Sequence, residues 1–385
     1  MKHLCFFLPA VTLGALLAAC GGVPSTTEQL RQAGSPGMRA CAEPSSAKSE
    51  CEVIIQKTGV QADLAGWGPS DLQAAYNLPS SSKGKGQIVA IVDAYDNPNV
   101  ASDLAAYRSH FGLPPAKFTK YNQEGQTKNY PKSCAGNDNW CVEIDLDVEM
   151  VSAACPNCTI YLVEAKDGGN LGTAEKEAVK LGAHIVSNSW DCAGICRGLQ
   201  RYFDTSDVVY VAAAGDDSYG SNSPARLPNV VSVGGTILAK HGSTYKEIVW
   251  PFTGGGCANH TTKPSWQHDP DCKYRTQNDV AAVAWDVAEY DTYDSYTGWV
   301  TVAGTSIATP LIAATYALAG NARSQHAAKE LWTLTTEQRK HFLHAITEGS
   351  DGDCGGSYLC EAGTGRYGTY SGPAGWGTPD GIGAF

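Results

Sequence analysis

Gly86-Gln87-Ile88-Val89-Ala90-Ile91-Val92-Asp93-Ala94-Tyr95 decides the fold class of this chain. Five apolar residues in a row read as a strand buried on both faces, which is how a central strand of a parallel sheet looks. A polar residue at the C-terminal end of such a strand stands where α/β folds place ligands. Asp93 is therefore a candidate site residue, although an Asp that merely ends a strand reads the same way. Working outward, residues 100–111 have the pattern of a helix, and residues 159–163, 184–189, 208–214 and 230–235 are short strand-like runs. An Ala-rich helix is expected over residues 171–181, between the first two of these runs. Strands alternating with helices imply an α/β fold with a mostly parallel central sheet flanked by helices.

With 385 residues, 43% of them hydrophobic, and 42 glycines, the chain can bury one large core. A formal net charge of -11 argues against nucleic acid as a partner. Residues 1–19 read as an export signal: Lys2 and His3 precede an apolar run that is too short to span a bilayer. The run ends in Leu17-Ala18-Ala19-Cys20-Gly21, the pattern of a bacterial lipobox, with Cys20 as the lipidated residue; plain cleavage at an Ala-x-Ala-like site is the alternative. Residues 20–64, rich in Ser, Thr, Glu, Gln and Lys, read as a tether, and residues 65–385 as the folded domain. The expected location is thus outside the cytoplasm, either anchored by lipid and facing the periplasm or cell exterior, or secreted.

Of the 14 cysteines, Cys5 and Cys20 belong to the leader and the lipid site. The rest fall into close sequential pairs: Cys41 and Cys51, Cys134 and Cys141, Cys155 and Cys158, Cys192 and Cys196, Cys257 and Cys272, Cys354 and Cys360. An even set of short-range pairs on an exported chain reads as disulfides. A redox or zinc role for Cys155-Pro156-Asn157-Cys158 would want a second CxxC or a thioredoxin-like surround, and the sequence has neither.

The chemistry gathers around Ala303-Gly304-Thr305-Ser306-Ile307-Ala308-Thr309-Pro310. Residues 298–302 are apolar enough for a buried strand and residues 311–318 read as a helix. A serine at such a strand-to-helix turn exposes its hydroxyl beside backbone N–H groups, which suits a nucleophile. It is equally what a plain N-cap serine looks like. A nucleophile needs a base, and none of the nine histidines stands in a His-Gly-Thr-His pattern; His241-Gly242-Ser243-Thr244 is the nearest and lies in a polar stretch. Instead, Trp140-Cys141-Val142-Glu143-Ile144-Asp145-Leu146-Asp147-Val148-Glu149 packs four carboxylates into seven positions. As a strand the run would have one charged face; as a helix, Glu143 and Asp147 are i and i+4 and share a face while Asp145 turns away. A solvated acidic face explains the run equally well. Further on, Val208-Val209-Tyr210-Val211-Ala212-Ala213-Ala214 is an apolar strand ending in Gly215-Asp216, a turn signal if it stood alone.

Glu143 with Asp147, then Gly215-Asp216, then Gly304-Thr305-Ser306, in this order, resemble the sedolisin family of serine-carboxyl peptidases. The similarity also takes in Gln73-Ala74-Ala75-Tyr76-Asn77-Leu78-Pro79, the strand ending at Asp93, Ser187-Asn188-Ser189-Trp190, and Gly375-Trp376-Gly377-Thr378-Pro379. It implies a subtilisin-like three-layer fold and an endopeptidase with an acidic pH optimum acting on proteins or peptides. Ser306 would be the nucleophile, Glu143 its general base, Asp147 the partner that orients Glu143, and Asp216 the oxyanion donor. Asp93 and Trp190 would support that network from behind. A catalytically inactive relative that binds at the cell surface is the alternative, against which stands the presence of all four catalytic residue types.

Three features depart from the family. The tether is too short for the large folded prodomain many relatives carry. The C-terminal calcium carboxylates are replaced by Ala345 and Ser371, so no family-type calcium site and no required cofactor are expected, with Glu348, Asp351 or Asp353 as the available substitutes. Asp191-Cys192-Ala193-Gly194-Ile195-Cys196 stands where relatives are glycine-rich, so substrate preference cannot be inherited. A monomer is expected.

Overall fold

The computed structural model describes residues 37–41, 48–58, 66–134, 140–192, 196, 198–293, 298–320 and 326–385. Residues 1–19, Cys20 and most of the expected tether lie outside these. The elements are β1 (Met38–Arg39), β2 (Glu50–Cys51), β3 (Ile54–Thr58), α1 (Pro69–Ala75), β4 (Ile88–Ala94), α2 (Val100–His110), β5 (Lys117–Asn122) and α3 (Trp140–Ala154). They continue with β6 (Thr159–Ala165), α4 (Leu171–Lys180), β7 (Ile185–Asn188), β8 (Trp190–Asp191), β9 (Val209–Ala213), β10 (Val230–His241) and β11 (Thr244–Val249). The last are β12 (Gly256–Thr262), β13 (Tyr274–Gln277), β14 (Val280–Val283), β15 (Val287–Asp291), β16 (Gly298–Ala303), α5 (Thr305–Ala319), α6 (Ala327–Thr333), α7 (Thr336–Phe342), β17 (Leu343–His344) and β18 (Thr378–Pro379).

The apolar run at Ile88–Ala94 lies inside the main sheet, ordered β11-β10-β9-β7-β4-β6-β5, with β14 also on β10. Its neighbours β6 and β7 are both parallel to it. Val89 to Val92 have no exposed surface, as expected of a strand covered on both faces. Every pairing from β5 through β10 is parallel, and β11 returns antiparallel as a hairpin. That hairpin lengthens β10 to His241, beyond the expected end at residue 235, and puts His241 at its exposed tip.

Helices α3 and α5 pack on one face of the sheet and on each other, and α4 covers β4 and β6 on the other face. In α4 the buried residues Leu171, Ala174, Glu175 and Ala178 form the stripe of a helix with one wet side. All residues of α3 are buried, as are Thr305 to Leu318 of α5. The solvated acidic face open to α3 on sequence grounds is therefore ruled out: the sheet lies beneath it, α5 flanks it, and α2 and β15 cover the rest.

Two findings lay outside the sequence reading. A second sheet, β1-β3-β16-β15, is antiparallel and delivers β16 to the turn before Ser306. Its strand β3, with β2, comes from residues read as tether, so that part of the segment is built into the domain. All six expected cysteine pairs are disulfides.

Candidate active site

Helix α5 begins at Thr305, well before the Ala- and Leu-rich run at residues 311–318, despite Pro310 inside it. Proline has no N–H and so leaves the carbonyl four residues back without its helical donor. That carbonyl belongs to Ser306, and the Ser189 hydroxyl donates to it at 3.4 Å, while the Ser306 hydroxyl donates to the Ser189 carbonyl at 3.4 Å. The turn into the helix requires Gly304. Its φ is +140°, and a Cβ there would lie 2.2 Å from the Glu52 carbonyl oxygen and 2.8 Å from Asp216 Oδ2. Ser306 is thus the second residue of α5, among amides that have no acceptor within the helix.

Glu143 and Asp147 look across from α3. Burial pushes both carboxyls well above the usual range; Asp147 and Asp93 push Glu143 further, and the nearby Ser306 hydroxyl pulls it back. Glu143 Oε2 accepts the Glu52 amide at 3.0 Å, while its Oε1 and both oxygens of Asp147 have no geometric partner. Fully buried carboxyls this close together cannot all be ionised, so protons are shared among them.

Asp216 follows β9, on the turn opposite the serine. Its Oδ1 accepts both the amide and the hydroxyl of Thr305 at 2.8 Å, and its Oδ2 has no partner. Burial raises it to about 7, against the hydrogen bonds from Thr305 and the charge of Arg39, which lower it. Asp93, at the end of β4, is raised to about 8 by burial. Trp190 is buried on β8, and its indole N–H donates to the Val92 carbonyl at 3.0 Å, one residue before Asp93. It therefore braces the end of β4 rather than bonding a carboxyl. The structure brings Ser306, Glu143, Asp147, Asp216, Asp93 and Trp190 into one buried region.

Two further acids belong to this region and were not picked out from sequence. Asp191 is fully buried and raised to about 7 by burial, and Glu52 is raised well above normal by burial and by Asp191 and Asp216. Glu52 follows β2, which pairs antiparallel with Trp190–Asp191, and precedes β3, which pairs with β16. Residues 48–58 therefore lie across the site from both sides. Arg39 binds Glu52 at 3.5 Å and also pairs with Asp217, and Cys41–Cys51 ties the segment to the end of β1. Under this cover Ser306, Glu143 and Asp147 have no exposed surface. Asp191 was visible only as part of a loop bordering the cleft, and nothing in the spacing of Glu52 signals its position.

At the C-terminal end, Ala345 and Ser371 offer no carboxylate. Glu348 is paired with Lys246 at 2.7 Å, Asp353 accepts the Gly355 amide at 3.0 Å, and Asp351 is buried alone, raised to about 8.

A parallel α/β sheet, a serine on the first turn of a buried helix, and carboxyls facing it where an imidazole would otherwise stand define a subtilisin-like protein with an acidic site. The sequence profile of the subtilase family matches residues 132–363, and the chain belongs to that family. It is 27% identical to kumamolisin of Bacillus sp. (strain MN-32), over 77% of this chain and 60% of that protein. To sedolisin of Pseudomonas sp. (strain 101) it is 21% identical, over 84% of this chain and 61% of that protein. The chain thus spans about three fifths of the length of these relatives. The structure of Pseudomonas sedolisin, a serine-carboxyl proteinase complexed with two molecules of pseudo-iodotyrostatin, superposes with a TM-score of 0.68 at 22% identity. That match covers 83% of this chain and 96% of the other, and it establishes a sedolisin-like fold.

Proposed function

We propose that the chain is a serine-carboxyl endopeptidase that hydrolyses peptide bonds in proteins or peptides. The observation that carries this reading is the meeting of Ser306, at the start of α5, with Glu143 and Asp147 on one face of α3. Ser306 Oγ attacks the scissile carbonyl and passes its proton to Glu143, which Asp147 orients. The developing oxyanion accepts from the Ser306 amide and from neutral Asp216. Glu143 returns the proton to the leaving amine, and water then repeats the sequence on the acyl-enzyme. Asp93 and Trp190 hold the ends of β4 and β8 against this pair.

Asp216 donates only while protonated. A folded-state value of about 7 keeps it neutral in acid and ionises it as pH rises through neutrality. Glu52, Asp191, Asp217, Arg39 and Thr305 are the groups that act on it, with Glu143 across the site. Activity therefore peaks in acid. Because the reacting groups are covered, substrate reaches Ser306 only when residues 48–58 move out of the cleft, so the described state is a closed one. Six disulfides fit an oxidising compartment outside the cytoplasm, and Cys20 would anchor the monomer there by lipid.

The test is hydrolysis of a denatured protein from acid to mildly alkaline pH, with wild type beside Ser306→Ala and Glu143→Ala. Acid-peaked cleavage that both variants lose is the expected result. Cleavage that survives Glu143→Ala means the base is elsewhere. No cleavage by the folded wild type at any pH moves the reading to a cell-surface binding protein.

A further inference from the structure

Behind the catalytic helix lies a second set of acids that the peptidase chemistry does not use. Asp103 on α2, Asp145 on α3 and Asp291 at the end of β15 each offer a carboxylate oxygen, and these oxygens lie within 4.8 Å of one another. Three oxygens no more than 4.8 Å apart leave a point within about 2.8 Å of each, slightly longer than a calcium–oxygen bond of about 2.3–2.6 Å. Among the described residues no other trio of His, Cys, Asp or Glu groups does this.

A second observation points to a ligand. Glu289 lies two residues before Asp291, on the same face of β15. It is fully buried with neither carboxylate oxygen partnered. Asp145 Oδ2 is held by Asn97 at 2.7 Å, and its carboxyl also meets that of Asp291. The charged groups that act on Asp145, Glu149 and Glu289 are all carboxylates. Buried anions in such number call for a cation or for protons. Thr292 donates its amide and hydroxyl to Asp103 at 3.1 and 2.7 Å, which fixes that carboxylate as a bound ligand would need.

We propose that Asp103, Asp145 and Asp291 bind a divalent cation of the calcium class, which ties α2 and β15 to the back of α3. The site would hold Glu143 and Asp147 steady from behind.

The experiment uses the whole protein at neutral pH, stripped with EDTA and probed with terbium, whose luminescence nearby Tyr290 and Tyr293 would sensitise. Saturable terbium binding displaced by calcium is expected, together with a Tm that calcium raises and EDTA lowers. Asp145→Asn should weaken terbium at least about tenfold, because affinity follows the number of charged ligands. Asp351→Asn, in the C-terminal loop, should leave it bound. If Asp145→Asn does not fold, Asp103→Asn on the neighbouring helix replaces it. Terbium lost in Asp351→Asn and kept in the Asp145 or Asp103 variant overturns the proposal. So does a Tm that ignores calcium and EDTA and rises only on acidification, which would mean that protons neutralise the cluster.

Discussion

The two acidic faces of α3 make the most instructive comparison in this molecule. Glu143 and Asp147 are four residues apart on one side; Asp145 and Glu149 repeat that spacing on the other. All four are buried, and burial raises all four carboxyls. What separates them is what stands opposite. The front pair meets the serine hydroxyl of α5 and the cover strand at Glu52. The back pair meets β15, where the Tyr290 amide donates to Glu149 at 3.0 Å and Asp291 approaches Asp145. Residue type and burial therefore do not separate the two pairs; the partner across the gap does.

Across the cleft from the front face stands Asp216, on the turn after β9. Replacing it with Ala should cost about a hundred- to a thousandfold in kcat, the usual loss of one oxyanion donor. Asp216→Asn keeps a donor that cannot ionise, so it should retain more activity and carry it further toward neutral pH. An Asn variant with the wild-type alkaline limb would separate that limb from Asp216.

The next effect concerns the cover. A chain beginning at Ile54 keeps β3 but loses the strand over Trp190–Asp191. It should label Ser306 with a peptide aldehyde at least about tenfold faster, since apparent affinity scales with the open fraction. Equal labelling would mean the cleft opens freely in the full chain.

A smaller effect is global. Asp93, Asp191 and Asp216 have folded values of about 8, 7 and 7, all above the unfolded carboxylate range. The folded state then binds more protons than the unfolded one between about pH 4 and 8, and stability falls as pH rises through that window. Calorimetry of the calcium-free protein should show Tm dropping by several degrees across it. A Tm that climbs toward neutrality would show that these acids are ionised in the folded chain.

The sheet was legible because a strand buried on both faces, such as Ile88–Ala94, cannot hide its apolar run. The front face of α3 was legible as a spacing, since Glu143 and Asp147 fall on one side whether the run is helix or strand. The end of β10 was not, because it follows from the hairpin with β11 rather than from an apolar run. Nor were β2, β3 and Glu52 legible: they are short, flanked by polar residues, and take their structure from β8 and β16 more than a hundred positions away. The back face of α3 likewise needs β15 in place before Asp145 and Asp291 meet.

The most direct test sets Glu143→Gln beside Glu149→Gln, two isosteric changes on opposite faces of one helix. Peptide hydrolysis is measured at acid pH, with near-ultraviolet circular dichroism to confirm both folds. Loss of more than about a thousandfold for Glu143→Gln, with Glu149→Gln within about tenfold of wild type, is the predicted result. Comparable losses in both, or hydrolysis that survives Glu143→Gln, would contradict the assignment of the front face as the base.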